Sequence, residues 1–231
     1  MKKIAILESY ENRGNLIKKI FLNADRNLEI TLFKAYNNEF PNLSYDAYVI
    51  TGGIITVDEK DKYPHLIKIE EFITNLSNIN KPILGICLGH QLIADTFGGK
   101  VEEAKELEVG FTEIKCIKED KIFEGITNIF YAFNYHWDYV SKIPKDFEII
   151  AVSNICTNHI MKHKNKPIYG IQFHIEYDKD TAIPVLEYLK EEIMDEEMDY
   201  EYILKKNNLF NKKIILKLIR NFLNEFCSTT R

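Results

Sequence analysis

The stretch Ile83–Gln91, ILGICLGHQ, restricts the folds open to this chain more than any other. Pro82 opens an apolar run that Ile83 and Leu84 continue, which predicts the end of a buried strand. Gly85-Ile86-Cys87-Leu88-Gly89 follows, and His90-Gln91-Leu92-Ile93-Ala94 reads as a helix. A thiol set between two glycines at a strand-to-helix junction is the cysteine form of a nucleophile elbow. The turn is too sharp for side chains at the flanking positions, and glycines relieve the clash. The helix that starts beyond it turns free N–H groups and a positive dipole end toward the sulfur, favouring thiolate and an adjoining oxyanion. The bland alternative is a buried cysteine beside a tight turn.

The segments before the elbow alternate between strand and helix. KIAILE at 3–8 is a short apolar run; 12–24 carries Leu16, Ile17, Ile20, Phe21 and Ala24 at helical spacing; LEITLFKA at 28–35 alternates. Asp46–Ile50 is a further strand that runs into Thr51-Gly52-Gly53, and 62–79 is helical through Leu66, Ile69, Phe72, Ile73 and Leu76. This order predicts an α/β fold with a doubly wound, mostly parallel sheet flanked by helices. Ligands bind such sheets outside the carboxyl ends of the strands, where both Gly52-Gly53 and Cys87 fall.

Past Gly98-Gly99 the pattern becomes strand-rich, through 100–118, the aromatic stretch 129–140, 147–153, 158–164 and 167–176. The rest is expected to be helical, in one amphipathic block over 183–204 and a second over 212–226. Residues 1–190 are expected to form one domain, and 191–231 a helical C-terminal extension packed on it. A formal net charge of −5 argues against a nucleic-acid partner. No apolar run reaches membrane-spanning length, and MKKIAILES lacks a signal-peptide core. Cys87, Cys116, Cys156 and Cys227 are widely spaced, as suits reduced thiols in the cytoplasm rather than a disulfide frame or a metal site. No phosphate-binding loop is present, so no cofactor is expected.

A thiol nucleophile needs a base, and the base an orienting group. Of the six histidines, His65 and His163 sit among polar residues and are expected at the surface; His90 suits a structural role; His159 has no acidic neighbour in sequence. His136 lies in NYHWD and is a closer candidate. His174 stands in QFHIE, where strand alternation would put it on the same face as Glu176. A carboxylate so placed can accept an imidazole N–H, fix its tautomer and stabilise the imidazolium.

Taken in order, TGG (51–53), GICLGHQL (85–92), FGGKV (97–101) and GIQFHIE (170–176) resemble a class I glutamine amidotransferase domain of flavodoxin-like architecture. The likeness covers about residues 1–190 and is strongest to the glutaminase subunit or domain of GMP synthetase. It implies that Cys87 attacks the glutamine amide, that His174 is base and then acid, and that Glu176 orients His174. It further implies an oxyanion hole from the Gly53 and Leu88 amides, and a glutamine site formed by Gly52, Gln91 and the Tyr135-His136 backbone. Ammonia would pass to a separate ATP-dependent synthetase subunit. Ile175 stands where the family usually has proline, and some forty C-terminal residues go beyond the length of the family's lone glutaminase chain. The competing readings are a stand-alone γ-glutamyl hydrolase with the same triad, needing a more open pocket, and a non-catalytic regulatory homologue.

Overall fold

The computed structural model describes residues 1–226; Cys227 and the remaining end of the C-terminal extension lie outside the described residues. Nine strands form one mixed sheet. Its parallel half is β2 (Leu28–Phe33), β1 (Lys2–Leu7), β3 (Ala47–Ile50), β4 (Ile83–Ile86) and β9 (Ile168–Ile171), in that spatial order. From β9 the sheet continues antiparallel through β8 (Ile160–His163), β7 (Phe147–Val152), β5 (Lys100–Cys116) and β6 (Ile129–Lys142). The doubly wound, mostly parallel expectation therefore holds for the half that carries the elbow.

Three of the parallel strands, β1 from Ile4 onward, β3 and β4, read as apolar runs because both of their faces are covered. Ile4, Ile6, Val49, Leu84 and Ile86 join the core on one face with α1 (Gly14–Ala24) and α7 (Lys212–Phe226). Ala5, Leu7, Tyr48, Ile50 and Ile83 join the other core with α2 (His65–Asn78) and α3 (Leu88–Thr96). Burying a large aliphatic side chain contributes about 1.5–3 kcal/mol, so these two layers fix where α3 lies on the sheet.

The helical block expected over 183–204 is divided among α4 (Lys179–Tyr188), α5 (Lys190–Asp195) and α6 (Tyr200–Lys206), and one expectation, the surface placement of His65, is corrected. The break after α5 passes through Glu197, whose φ of 57° no helix can contain. His65 is buried rather than at the surface, because its Nε2 lies 3.0 Å from the Ser9 carbonyl. α7 is anchored by Ile215, Leu218, Ile219 and Phe222, all buried. Its Asn221 Nδ2 donates to the carbonyls of Ile122 and Glu124, both at 2.9 Å. No helix among the described residues is long and apolar enough to cross a membrane.

Candidate active site

Cys87 occupies the junction between β4 and α3 with φ 50° and ψ −109°. That conformation is strained for a residue with a β-carbon, at a cost of order 1–3 kcal/mol, and persists only where neighbours enforce it. Here the Cys87 amide donates to the Ile171 carbonyl at 2.8 Å, and its carbonyl accepts from the Gln91 amide at 3.1 Å. The residue is pinned from both sides while its side chain caps no helix N–H. Leu88 and Gly53, the two expected oxyanion donors, use their amides in no hydrogen bond among the described residues.

His174 and Glu176 meet, though not by strand alternation. β9 ends at Ile171, and 172–176 leaves the ladder. The Gln172 amide bonds to the His159 carbonyl, and the His174 amide then bonds to the Phe133 carbonyl of β6, both at 2.8 Å. The chain is thus handed from β8 across to β6, and the bend keeps both side chains together. His174 Nδ1 stands 2.8 Å from Glu176 Oε1, both residues being buried. With Nδ1 engaged by Glu176, Nε2 is the ring nitrogen left for the sulfur. A β-carbon on Gly52 would lie 3.2 Å from His174 Cε1 and 3.3 Å from the Cys87 β-carbon, so the Gly52 backbone packs directly over the pair. Ile175, at the position of the family proline, is buried in the core.

Burial opposes charge on His174, but the Glu176 carboxylate and the Cys87 side chain outweigh it and hold the imidazole well above its ordinary range. Burial likewise works against an ionised Glu176; His174, with help from Arg13, brings that carboxyl below its usual value. An imidazole with raised basicity, aimed at a thiol and backed by a carboxylate, can take the thiol proton and return it to a leaving group.

The other expected site residues surround a cavity of about 810 Å³ that opens on Cys87 and His174. Gln91 Nε2 donates to the Asp138 carbonyl at 2.9 Å, tying α3 to β6. Tyr135 and His136 line the wall, but their side chains are turned to other work. Tyr135 Oη donates to Glu192 Oε2 and Trp137 Nε1 to Glu192 Oε1, each at 3.0 Å, so α5 braces the wall from behind. His136 faces Glu108 across the β5–β6 ladder, Nε2 to Oε2 3.3 Å, and the same oxygen lies 3.1 Å from His159 Nε2. Glu108 thus supplies the acidic neighbour that His159 lacks in sequence.

Glu108, His136 and His159 are the one group among the described residues with metal-ligand proximity, their ligand atoms lying within 4.8 Å of one another. An imidazole that ligates through Nε2 presents Nδ1–H to an acceptor. Neither Nδ1 finds one here. The atoms fit a polar cluster instead, in which His159 Nε2 hydrogen-bonds to Glu108 Oε2 and His136 Nε2 faces the same oxygen. Although burial works against its charge, the two imidazoles hold Glu108 ionised, far below the usual range, while burial keeps His136 neutral.

Three contributors escaped the motif reading. Gln172 Nε2 lies 3.7 Å from Cys87 Sγ and belongs to GIQFHIE, where its position before His174 was the available signal. Arg13 and Glu192 carried no local signal, because their partners Tyr177, Tyr135 and Trp137 are distant in the chain.

Residues 5–188 match the family model for glutamine amidotransferase class-I. The chain belongs to that family. Among curated relatives, a glutamine-hydrolysing GMP synthase subunit from Pyrococcus abyssi is 45% identical over 107 residues, 46% of this chain and 57% of the relative. Its counterpart from Methanocaldococcus jannaschii is 47% identical over 113 residues, 49% of this chain and 60% of the relative. The chain therefore spans less than two thirds of the curated relatives' length. A glutamine amidotransferase structure from Thermotoga maritima superposes with TM-score 0.82 at 22% identity, covering 99% of both chains. One from Methylobacillus flagellatus gives 0.79 at 19% identity, covering 98% of this chain and 96% of that one. At these identities the likeness is one of fold, and it takes in the C-terminal helices as well as the sheet.

Proposed function

We propose that this chain hydrolyses L-glutamine to glutamate and ammonia and supplies the ammonia to a separate ATP-dependent synthetase in the cytoplasm, GMP synthetase being the favoured acceptor. The observation that carries this reading is the strained Cys87 at the head of α3 beside the buried His174–Glu176 pair. The GMP synthase subunits among the relatives support the choice of acceptor.

In this reading Cys87 Sγ passes its proton to His174 Nε2 and attacks the side-chain carbonyl carbon of glutamine. The oxygen that becomes anionic is met by the Gly53 and Leu88 amides, donors already oriented before charge develops. Collapse of the adduct breaks the C–N bond, and His174 returns the proton to the departing ammonia. Water, deprotonated by the same imidazole, then cleaves the γ-glutamyl thioester and frees the thiol. Glu176 keeps Nδ1–H engaged throughout, so that Nε2 is always the proton-carrying atom. Gly52, Gln91 and the Tyr135-His136 backbone hold the glutamine.

Glutamate release from L-glutamine, measured with and without a synthetase, tests this. Cys87→Ser is expected to lower the rate by at least about 1,000-fold with little change in stability. A Cys87→Ser protein working at the wild-type rate would remove Cys87 as the nucleophile.

A further inference from the structure

The cleft holds more than a glutamine side chain requires, and its charge is unevenly placed. Pockets of roughly 300–1,000 Å³ take ligands of drug size, and this one measures about 810 Å³. Of the residues that line it, Arg13 is the single Lys or Arg. Its guanidinium carries five N–H donors. Among the described residues one of them is used, from Nη1 to Tyr177 Oη at 2.9 Å.

Arg13 is a fixed feature of the cleft. The preceding Asn12 takes φ 60°, turning the chain sharply. The following Gly14 amide donates to Glu8 Oε1 at 2.8 Å, and Glu8 is itself buried. A β-carbon on Gly14 would come within 2.9 Å of that carboxylate, so the loop closes tightly on it.

The direction of the chemistry decides which part of a substrate Arg13 meets. His174 protonates the leaving nitrogen, so the leaving group projects toward His174. The next ring beyond it is Tyr177, packed edge-on against His174 with centroids 5.6 Å apart, and Tyr177 holds Arg13. The other exit from the elbow runs through Gln91 to Asp138, and Asp138 and Glu103 are the acidic residues lining the cavity. The cationic group thus lies on the leaving-group side and the acidic groups on the side reached through Gln91.

We propose that Arg13 forms an anion subsite for the leaving group, so that the site also takes γ-glutamyl amides whose amine bears a carboxylate, such as γ-glutamyl amino acids. This rests on Cys87 cleaving γ-glutamyl amides. The step balances as for glutamine: the thioester forms at Cys87, the C–N bond breaks, and the departing amine takes the proton from His174. Water then releases glutamate and regenerates the thiol.

A matched pair of ligands isolates the charge, namely γ-glutamylglycine and its carboxamide counterpart γ-glutamylglycinamide. Binding of each to the full Cys87→Ser chain, measured by calorimetry, needs no turnover and no synthetase. The carboxylate is expected to bind about 10-fold or more tightly than the amide, the ratio a charge-assisted hydrogen bond carries. Arg13→Gln is expected to erase that ratio, and in the wild-type thiol enzyme the same preference should appear in kcat/KM. Equal affinity for the two ligands overturns the subsite. So does an Arg13→Gln variant that weakens both equally, which would reduce Arg13 to an electrostatic support for Glu176. If the chain binds neither ligand and also fails to bind glutamine, the fault lies in the underlying γ-glutamyl reading; if glutamine binds while both dipeptide analogues do not, it lies in the subsite alone.

Discussion

Gly89 offers a direct test of how the elbow is held in place. A β-carbon added there would stand 2.4 Å from the Ile50 carbonyl oxygen and 2.9 Å from its carbon, both backbone atoms of β3. Real β-carbons stay beyond about 3.0 Å, so Gly89→Ala forces α3 away from β3 by at least about 0.6 Å. No side chain can swing aside to absorb this. Overpacking of this kind costs about 1–3 kcal/mol, or about 2–12 °C in Tm for a chain of this size. Because α3 carries Cys87 at its head and Gln91 on its second turn, the shift also displaces the sulfur from His174. A misplacement approaching 1 Å lowers turnover by up to about 100-fold. Gly98→Ala is the internal control. No atom lies within 4 Å of its added β-carbon, yet its φ is +81°, so it should cost about 1 kcal/mol in stability and leave the cleft unchanged. Urea unfolding and glutamate release on both variants decide the matter. Gly89→Ala with stability within about 0.5 kcal/mol of wild type and full activity would refute the argument that backbone contact with β3 positions the nucleophile.

The bracing of the cleft wall by α5 predicts that Glu192→Ala releases Tyr135 and Trp137 at a cost of about 1–3 kcal/mol. The chain has a single tryptophan, so a red shift in its fluorescence reports the loosened wall; unchanged emission would mean the brace is absent in solution. His90 is wholly buried and burial keeps it neutral, its pKa lowered from 6.5 to about 3. Between those values the unfolded chain binds a proton that the folded chain refuses, so this stability is complete above pH 6.5 and is lost as pH falls toward 3. The slope approaches about 1.4 kcal/mol per pH unit. His90→Asn should flatten the stability–pH curve between pH 6 and 4, and a curve parallel to wild type would contradict the assignment.

Strands and elbow could be read in the sequence because each rests on local chemistry. An apolar run buried on both faces looks the same before and after folding, and Gly85-Ile86-Cys87-Leu88-Gly89 encodes its own turn. The His174–Glu176 pairing was also legible, but for a different reason from the one that operates. Alternation along a strand put them on one face, whereas they meet because the chain passes from His159 to Phe133 as β9 ends. What could not be read acts across the fold. Glu108 meets His136 and His159 only when β5, β6 and the segment before β8 are assembled. His65 looked solvated among polar neighbours, yet the partner that buries it, the Ser9 carbonyl, lies 56 positions earlier. Glu192 reaches the cleft wall from a helix whose spacing suggested packing alone, and Arg13 reaches Tyr177 across 164 positions. The division follows the chemistry. The groups expected to break the γ-glutamyl bond sit in contiguous motifs because the turn that strains Cys87 must be encoded beside it. The groups that shape what else fits in the cleft come from separate elements, so they can change without disturbing the elbow, and substrate preference in this chain is to be sought among them.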